Sequence, residues 1–138
     1  MVIMSRSQDK LQKVADEIKE KYGREVRIIP VDFSEGPELY PHIAEELHDL
    51  DIGVLVNNVG YYQGYAEYFG EVLEEVHYKT VQINCHPVVQ MTRMLLPKMV
   101  TKRRGVIVNI SSGAADRPLS LITVYSTCLL YTSPSPRD

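Results

Sequence analysis

The pattern of apolar and polar positions predicts an alternation of strands and helices along most of the chain. Apolar runs occupy positions 2–4, 26–31, 54–56 and 106–108, and each ends in polar or small residues. Between the first two runs, apolar residues recur every three or four positions, which is the period of a helix with one buried stripe. The residues of that stripe are Leu11, Val14, Ala15, Ile18 and Tyr22.

Turn-forming residues set the predicted ends of these helices. Ser7 is placed to cap the first helix, and Gly23 to end it. A second helix begins within 37–41, because Pro41 fits only a first turn. The order strand–helix–strand–helix–strand predicts parallel strands joined by right-handed crossovers. The second helix carries an apolar face of Leu39, Ile43, Ala44 and Leu47.

Two apolar runs with similar endings dominate the middle of the chain. The run 54–56 leads into Asn57-Asn58-Val59-Gly60, and 106–108 leads into Asn109-Ile110-Ser111-Ser112-Gly113. Continuous apolar runs of this kind are typical of parallel strands that are covered on both faces. Since parallel strands end at a common edge of a sheet, we expect Asn58 and Ser112 on the same edge.

The remaining segments are predicted in less detail. Residues 61–70 form a loop whose tyrosines either line a substrate path or pack on the sheet. A long helical region, 71–101, breaks near Gln82–Cys85 because Pro87 cannot continue it. A loop over 114–121 precedes a helix that begins near Leu121. The polar, proline-rich end, 131–138, has the composition of a disordered segment.

Length, charge and composition argue against several classes of function. The 138 residues are enough for one domain or part of one. A net charge of −3 gives no reason to expect a nucleic-acid partner. The histidines and the two cysteines share no metal-binding spacing, so no metal site is expected. No apolar run is long enough to span a bilayer.

Ser112 and Tyr125 are the first candidates for chemistry. One follows a predicted strand and the other lies on the next predicted helix, so the two side chains could converge. A tyrosine hydroxyl with its ordinary pKa of about 10 is a poor acid–base group, and a nearby cation makes it a better one. The spacing alone leaves open the alternative that both residues only pack the core.

These residues together resemble the motifs of the short-chain dehydrogenase/reductase family. The matches are Asn57 to Gly60, Asn84, Ser112 within 109–113, and Tyr125 at the family's distance from that serine. Within the family, the segments 2–11, 51–60 and 109–113 are similar to the 17β-hydroxysteroid dehydrogenases and very-long-chain 3-oxoacyl-CoA reductases. The resemblance covers about residues 1–127 and implies an α/β fold with a doubly wound, Rossmann-like parallel sheet.

The resemblance also implies catalytic roles. Tyr125 would be the general acid that protonates a substrate carbonyl during reduction, and Ser112 would hydrogen-bond the same oxygen. Asn84, at the predicted helix break, would leave a main-chain carbonyl free to hold a water in a proton relay.

Cofactor roles follow in the same way. Asn58 and Gly60 would let the backbone approach the cofactor ribose, and Asp32 would accept a hydrogen bond from the adenine amine. Ser5 and Arg6 follow the family's second strand, where an arginine accommodates a 2′-phosphate. NADP(H) is therefore favoured over NAD(H).

Two departures from the family bear on activity. The Gly-rich turn that holds the cofactor pyrophosphate would lie before Val2, and Leu129 stands where the family has a lysine that acts on the tyrosine. We therefore expect residues 1–127 to be a partial dinucleotide-binding and catalytic domain, lacking the first strand and the C-terminal strands. Residues 128–138 are expected to be a disordered or foreign tail. Such a domain would expose apolar sheet surface.

The function implied is NADPH-dependent reduction of a lipid carbonyl, on a 3-oxoacyl-CoA or a 17-oxosteroid. A homodimer and a location in the endoplasmic reticulum are also expected, with membrane attachment only through a segment outside this chain. One alternative is a catalytically inactive member that acts as a binding or scaffold protein. Others are a different carbonyl reductase subgroup and a generic α/β domain without enzymatic function.

Overall fold

The computed structural model describes residues 1–117 and 119–132 and divides the chain into two compact units. The first unit ends at Leu50 and the second begins at Asp51. The first contains β1 (Val2–Ser5), α1 (Gln8–Tyr22), β2 (Arg27–Pro30) and α2 (Leu39–Glu46). The second contains β3 (Val54–Asn57), α3 (Glu74–Asn84), α4 (His86–Thr101), β4 (Val106–Asn109), α5 (Gly113–Asp116), a 3₁₀ turn (Ser120–Ile122) and α6 (Thr123–Thr132).

The first unit confirms the predicted strand–helix–strand order. Strands β1 and β2 are parallel, with Val2 opposite Arg27. The Ser7 hydroxyl caps α1 by accepting a hydrogen bond from the Lys10 amide at 3.4 Å. Gly23 ends the helix in the left-handed conformation, with φ 62°, and its N–H donates to the Lys19 carbonyl. A glycine suits this position because other L-residues adopt positive φ at a cost.

The core of the first unit is centred on α2. Ile43 is fully buried, and Tyr40 on the same helix is 8% exposed. Burial raises the pKa of Tyr40 to about 12 because the charged form would lose its hydration. Residues Leu11, Ile29 and Leu47 are buried in the same unit. The apolar face predicted for the second helix is therefore correct at its central residue.

Shortening Ile43 is expected to destabilise the first unit substantially. Ile43→Ala removes buried methyl groups and leaves a cavity, which costs about 2–5 kcal/mol. The matched variant Ile43→Val removes one methyl group and should cost about 0.5–1.5 kcal/mol. Urea denaturation followed by circular dichroism measures both. An alanine variant as stable as the valine variant would contradict the observed packing.

The second unit confirms the paired strands and the helix break. Strands β3 and β4 are parallel, with Asn57 opposite Asn109. Helices α3 and α4 are separated by the single residue Cys85, two positions before Pro87. The break lies where the sequence placed it, because proline has no N–H with which to continue the helical hydrogen bonding.

Two local predictions in the second unit are wrong. The strand β3 is covered on only one face, since Val54 and Val56 are 58% and 53% exposed. Their partners Val106 and Val108 are also exposed, so the four valines form an apolar face of this sheet. This exposed surface agrees with the expectation for a partial sheet.

The other correction concerns the segment after β4. Residues 114–121 were expected to be a loop, but α5 and the 3₁₀ turn overlap this region at its two ends. The Ser112 hydroxyl caps α5 by accepting from the Ala114 amide at 3.3 Å. A serine followed by a glycine and two alanines therefore allows one capped helical turn, because the cap satisfies an otherwise free amide.

The end of the chain is described through Thr132, where α6 ends. Cys128 and Leu129 on this helix are buried, with 4% and 7% exposure. The predicted tail begins at residue 128, and its last part, 133–138, lies outside the described residues. Within the described ranges, no helix combines the length and the apolar character needed to cross a bilayer.

Candidate functional site

The carboxyl ends of β3 and β4 form one edge of the sheet in the second unit. The Asn57 side-chain amide donates to Asn109 Oδ1 at 2.9 Å, and the Ile110 amide donates to the Asn57 carbonyl at 2.9 Å. The next residue after β3 is Asn58, which is exposed, and the half-buried Ser112 follows β4. The parallel register thus places both candidate residues at the same edge, as the sequence predicts.

Asn84 joins the helix break to the loop that follows β3. Its Nδ2 donates to the carbonyls of Tyr61 and Thr80, each at 2.8 Å, and its Oδ1 accepts from the Tyr61 amide at 2.9 Å. The side chain is 2% exposed. A Cβ on Gly60 would lie 3.4 Å from Asn84 Oδ1, which is van der Waals contact, so the Gly60 backbone passes directly beside this side chain. Asn84 therefore holds the main chain beside the predicted cofactor-binding turn.

Tyr125 lies on α6 and contacts the same loop. Its ring is 5.5 Å from the Tyr62 ring, centroid to centroid, and inclined to it by 59°. Asn84 at the helix break binds Tyr61, and the next residue, Tyr62, contacts Tyr125. The Glu67 amide donates to the Leu121 carbonyl at 3.1 Å and adds a second link between this loop and the segment before α6.

Ser112 and Tyr125 lie on elements that pack together, since α5 contacts α6. The neighbouring Ser111 hydroxyl donates to the Leu129 carbonyl at 3.1 Å, which joins the end of β4 to the same helix. The structure therefore brings Ser112, Asn84 and Tyr125 into one network of packed elements. Leu129, which stands where the resemblance implies a lysine, is buried.

Sequence reasoning missed the contact that Tyr62 makes with Tyr125. The loop 61–70 was recognised as rich in tyrosine, but the sequence left open which of these rings faces α6. Lys79 lies over the Tyr61 ring, with its Nζ 5.0 Å from the ring centroid. The contact between Tyr62 and Tyr125 depends on how α6 packs beside this loop, so the sequence pattern carries no signal for it.

Two of the three cofactor residues predicted in the first unit, Arg6 and Asp32, line one open pocket of about 590 Å³, and Ser5 does not. Its lining includes Arg6, which follows β1, and Asp32, which follows β2. Asp32 Oδ1 accepts hydrogen bonds from the Ser34 amide at 2.9 Å and from the Ser34 hydroxyl at 2.7 Å. Ser5 ends β1, and its hydroxyl accepts from the Ser7 amide. This part of the chain therefore presents a guanidinium and a carboxylate to one pocket.

The same pocket carries further polar groups. Glu35, Glu38 and His42 contribute to its wall, together with Pro30, Val31 and Leu39. The wall therefore combines one guanidinium with three carboxylates, from Asp32, Glu35 and Glu38. No cluster of three metal-ligating side chains occurs in the part of the chain that the structure describes.

Comparison with known proteins identifies the family. The sequence profile described as short chain dehydrogenase matches residues 1–128. A very-long-chain 3-oxoacyl-CoA reductase of Anas platyrhynchos is 46% identical over 128 residues, which cover 91% of this chain and 41% of that protein. An inactive hydroxysteroid dehydrogenase-like protein 1 of Pongo abelii is 39% identical over 131 residues, 95% of this chain and 40% of that protein.

A solved structure shares the fold as well as part of the sequence. The closed form of serine dehydrogenase complexed with NADP⁺ is 30% identical, with a TM-score of 0.77, over 94% of this chain and 51% of that chain. This chain thus spans about 41% of the length of the first curated relative that it matches.

Proposed function

We propose, given that this chain belongs to the short-chain dehydrogenase family, that it works in the NADPH-dependent reduction of a carbonyl group on a lipid substrate. Dehydrogenases are oxidoreductases, and this family uses nicotinamide dinucleotides. The preferred substrate is a 3-oxoacyl-CoA, with a 17-oxosteroid as the second candidate. The 46% identity to a relative named 3-oxoacyl-CoA reductase is the observation that carries this choice.

The proposed chemistry assigns one task to each of three residues in the second unit. The cofactor, when bound, supplies a hydride to the carbonyl carbon. Tyr125 donates a proton to the carbonyl oxygen, and Ser112 hydrogen-bonds the same oxygen so that it stays in place. Asn84 keeps its main-chain carbonyl available to a water at the helix break. The packing of α3 and α5 against α6 supports the proposal, because general acid catalysis requires a donor that is held in position.

The cofactor proposal rests on the pocket of the first unit. Arg6 would pair with a 2′-phosphate, since guanidinium and phosphate form charge-assisted hydrogen bonds. Asp32 would accept a hydrogen bond from the adenine amine, and Ser5 would contribute a hydroxyl near the ribose. In the second unit, Asn58 and Gly60 would line the approach to the other ribose. One solved relative is complexed with NADP⁺, and the preference for a 2′-phosphate rests on Arg6.

Replacing Arg6 is expected to weaken the binding of a nucleotide that carries a 2′-phosphate and to leave the binding of one without it unchanged. Arg6→Ala should weaken binding of adenosine 2′,5′-bisphosphate about tenfold, the effect of losing one exposed charge-assisted hydrogen bond. Binding of 5′-AMP should not change, because it has no 2′-phosphate. Isothermal titration calorimetry measures both. Lys10→Ala, which removes an exposed cation outside the pocket wall, is the matched control. Equal losses for the two nucleotides would contradict the assignment.

The activity can be tested in a chimera. In this chimera, residues 1–128 of this chain replace the matched segment of the Anas platyrhynchos relative. It is expected to oxidise NADPH in the presence of a 3-oxoacyl-CoA and to use NADH less well. The unmodified relative is the control for the assay, and circular dichroism is the control for folding. A folded chimera without activity would contradict the proposal.

The inactive alternative is supported by a specific observation. Leu129 is buried where the resemblance implies a lysine, and one relative is named as inactive. The chimera is therefore extended to residue 129, with either leucine or lysine there. If this chain carries the enzyme's machinery, Leu129→Lys should raise kcat by about 10²-fold or more, because a cation favours the ionised phenol. No activity with either residue would favour a binding or scaffold role.

The remaining proposals concern assembly and location. An exposed apolar stripe on α4, formed by Val89, Leu96 and Val100, supports association with a second copy of the chain. These residues recur at helical spacing and so share one face. Location in the endoplasmic reticulum is proposed on the family resemblance, with any membrane attachment made through a segment outside this chain.

A further inference from the structure

The Tyr125 ring packs against a second aromatic ring, in the loop that follows β3. The centroids of the Tyr125 and Tyr62 rings are 5.5 Å apart, and the ring planes are inclined by 59°. Pairs of aromatic rings favour inclined arrangements at this separation, because their quadrupoles then attract each other. Since Tyr125 is only half-buried, this contact restricts the directions that its side chain can adopt.

The main chain that carries Tyr62 is itself anchored. The residue before it, Tyr61, donates its N–H to Asn84 Oδ1 at 2.9 Å, and its carbonyl accepts from Asn84 Nδ2 at 2.8 Å. Asn84 is 2% exposed and ends α3, so these two hydrogen bonds tie the loop to a buried group. The Tyr62 ring therefore lies one residue from an anchored point, and it can act as a fixed stop for the Tyr125 ring.

We propose that Tyr62 is a positioning residue, whose ring holds the Tyr125 phenol in the direction from which it reaches the substrate carbonyl. This inference rests on the proposed function, because that function makes Tyr125 the proton donor. A donor transfers its proton only within hydrogen-bond reach of the oxygen, so other directions of the phenol are unproductive. The contact joins two rings, so the ring of Tyr62 carries the role and its hydroxyl does not.

The exposure of Tyr62 separates this role from a structural one. Tyr62 is 43% exposed, so its ring fills less of the core than a buried ring would. The loop also keeps its anchor at Asn84 when the ring is removed, because that anchor holds the main chain of Tyr61. Tyr62→Leu should therefore leave the fold in place and give the Tyr125 side chain more directions. The expected loss is in the rate of proton transfer.

The first experiment is a double-mutant cycle in the chimera. Tyr62→Leu should lower kcat for 3-oxoacyl-CoA reduction by about 10- to 10²-fold, which is the effect of a small misplacement of a reacting group. The KM for NADPH should stay close to that of the parent, and Tyr62→Phe, which keeps the ring, should restore kcat. In a Tyr125→Phe chimera, Tyr62→Leu should have no further effect, because the two residues act as a unit. A structural role would instead lower the residual activity in both backgrounds.

The second experiment needs no activity and uses the 138-residue chain. 3-Fluorotyrosine is placed at residue 125, and its ¹⁹F chemical shift is measured in the parent chain, in Tyr62→Leu and in Tyr62→Phe. Tyr62→Leu should move the shift towards that of the urea-denatured chain, because the ring current of the neighbour is lost and the side chain averages over more directions. Tyr62→Phe should keep the parent shift. Tyr65→Leu, which removes another exposed tyrosine of the same loop, is the matched control.

The outcomes distinguish this inference from the proposed function. A ¹⁹F shift that Tyr62→Leu leaves at its parent value overturns the inference, whether or not the chimera is active. An active chimera in which Tyr62→Leu leaves kcat unchanged also overturns it, although the proposed function then stands. A folded chimera without activity contradicts the proposed function, and the catalytic role given to Tyr62 falls with it.

Discussion

Replacing Tyr125 by phenylalanine in the chimera is expected to lower kcat/KM for NADPH-dependent carbonyl reduction by about 10²- to 10⁴-fold. This is the range that a positioned general acid contributes. Phenylalanine keeps the ring that contacts Tyr62 at 5.5 Å and removes only the hydroxyl. The loss should therefore be seen in kcat, while NADPH binding and the thermal midpoint stay close to those of the parent chimera.

The matched control for this change is Tyr62→Phe. It also removes one hydroxyl from the same pair of rings, but the proposed mechanism gives that hydroxyl no proton to transfer. Steady-state assays that follow NADPH absorbance compare the three proteins. A Tyr125→Phe chimera that retains the parent kcat/KM would remove Tyr125 from the mechanism, whatever the behaviour of the control.

The second large effect is expected at Asn84. Asn84→Ala leaves the N–H and the carbonyl of Tyr61 without the partner that now satisfies them, and it also removes the side-chain hydrogen bond to the Thr80 carbonyl. Unsatisfied buried polar groups cost about 1–3 kcal/mol each, so the free energy of unfolding of the second unit should fall by at least about 2 kcal/mol. Urea denaturation of the whole chain measures this change.

Asn58→Ala is the matched control for the buried asparagine. Asn58 is exposed, so its removal should change stability by less than about 0.5 kcal/mol. A third variant, Asn84→Asp, keeps the shape and one acceptor but cannot donate when ionised. It should be destabilised at neutral pH and partly recover as acid protonates the new carboxyl group. An Asn84→Ala protein as stable as Asn58→Ala would show that the side chain does not hold the loop.

Regular periodicity and chain-breaking residues predicted much of the fold. Leu11 and Ala15 of the predicted apolar stripe are buried, whereas Val14 and Tyr22 are exposed, and Gly23 ends α1 in the conformation that its position required. The helix break before Pro87 was also predictable, because missing N–H groups act locally. The family assignment is confirmed by the profile match over residues 1–128.

Long-range contacts could not be predicted from the same patterns. Whether Val54 and Val56 are covered depends on which other elements pack there, and the apolar run looks the same in either case. The pairing of Tyr62 with Tyr125 depends on how α6 packs beside the loop that follows β3. The short helix α5 was missed because a single capped turn has no apolar period to detect.

The candidate site was predicted in part. The edge shared by Asn58 and Ser112 was predictable because parallel strands end at a common edge of a sheet, and the register of β3 and β4 confirms it. It also placed Asn84 at the break, but it contained no sign of the three hydrogen bonds made by the side chain. The roles of Tyr125 and Ser112 in catalysis, and of Arg6 and Asp32 in cofactor binding, stay predictions.

Transfer of deuterium from the cofactor is the direct test of whether this chain, with Tyr125, reduces the carbonyl of a 3-oxoacyl-CoA. The chimera is given NADPH deuterated at the transferred C4 position, with a 3-oxoacyl-CoA, and the product is analysed by mass spectrometry. We expect the chimera with Tyr125 to form a 3-hydroxyacyl-CoA that carries one deuterium at C3. The Tyr125→Phe chimera should form almost none of this deuterated product. A folded chimera that makes no deuterated product, under conditions in which the unmodified relative does, would contradict this expectation.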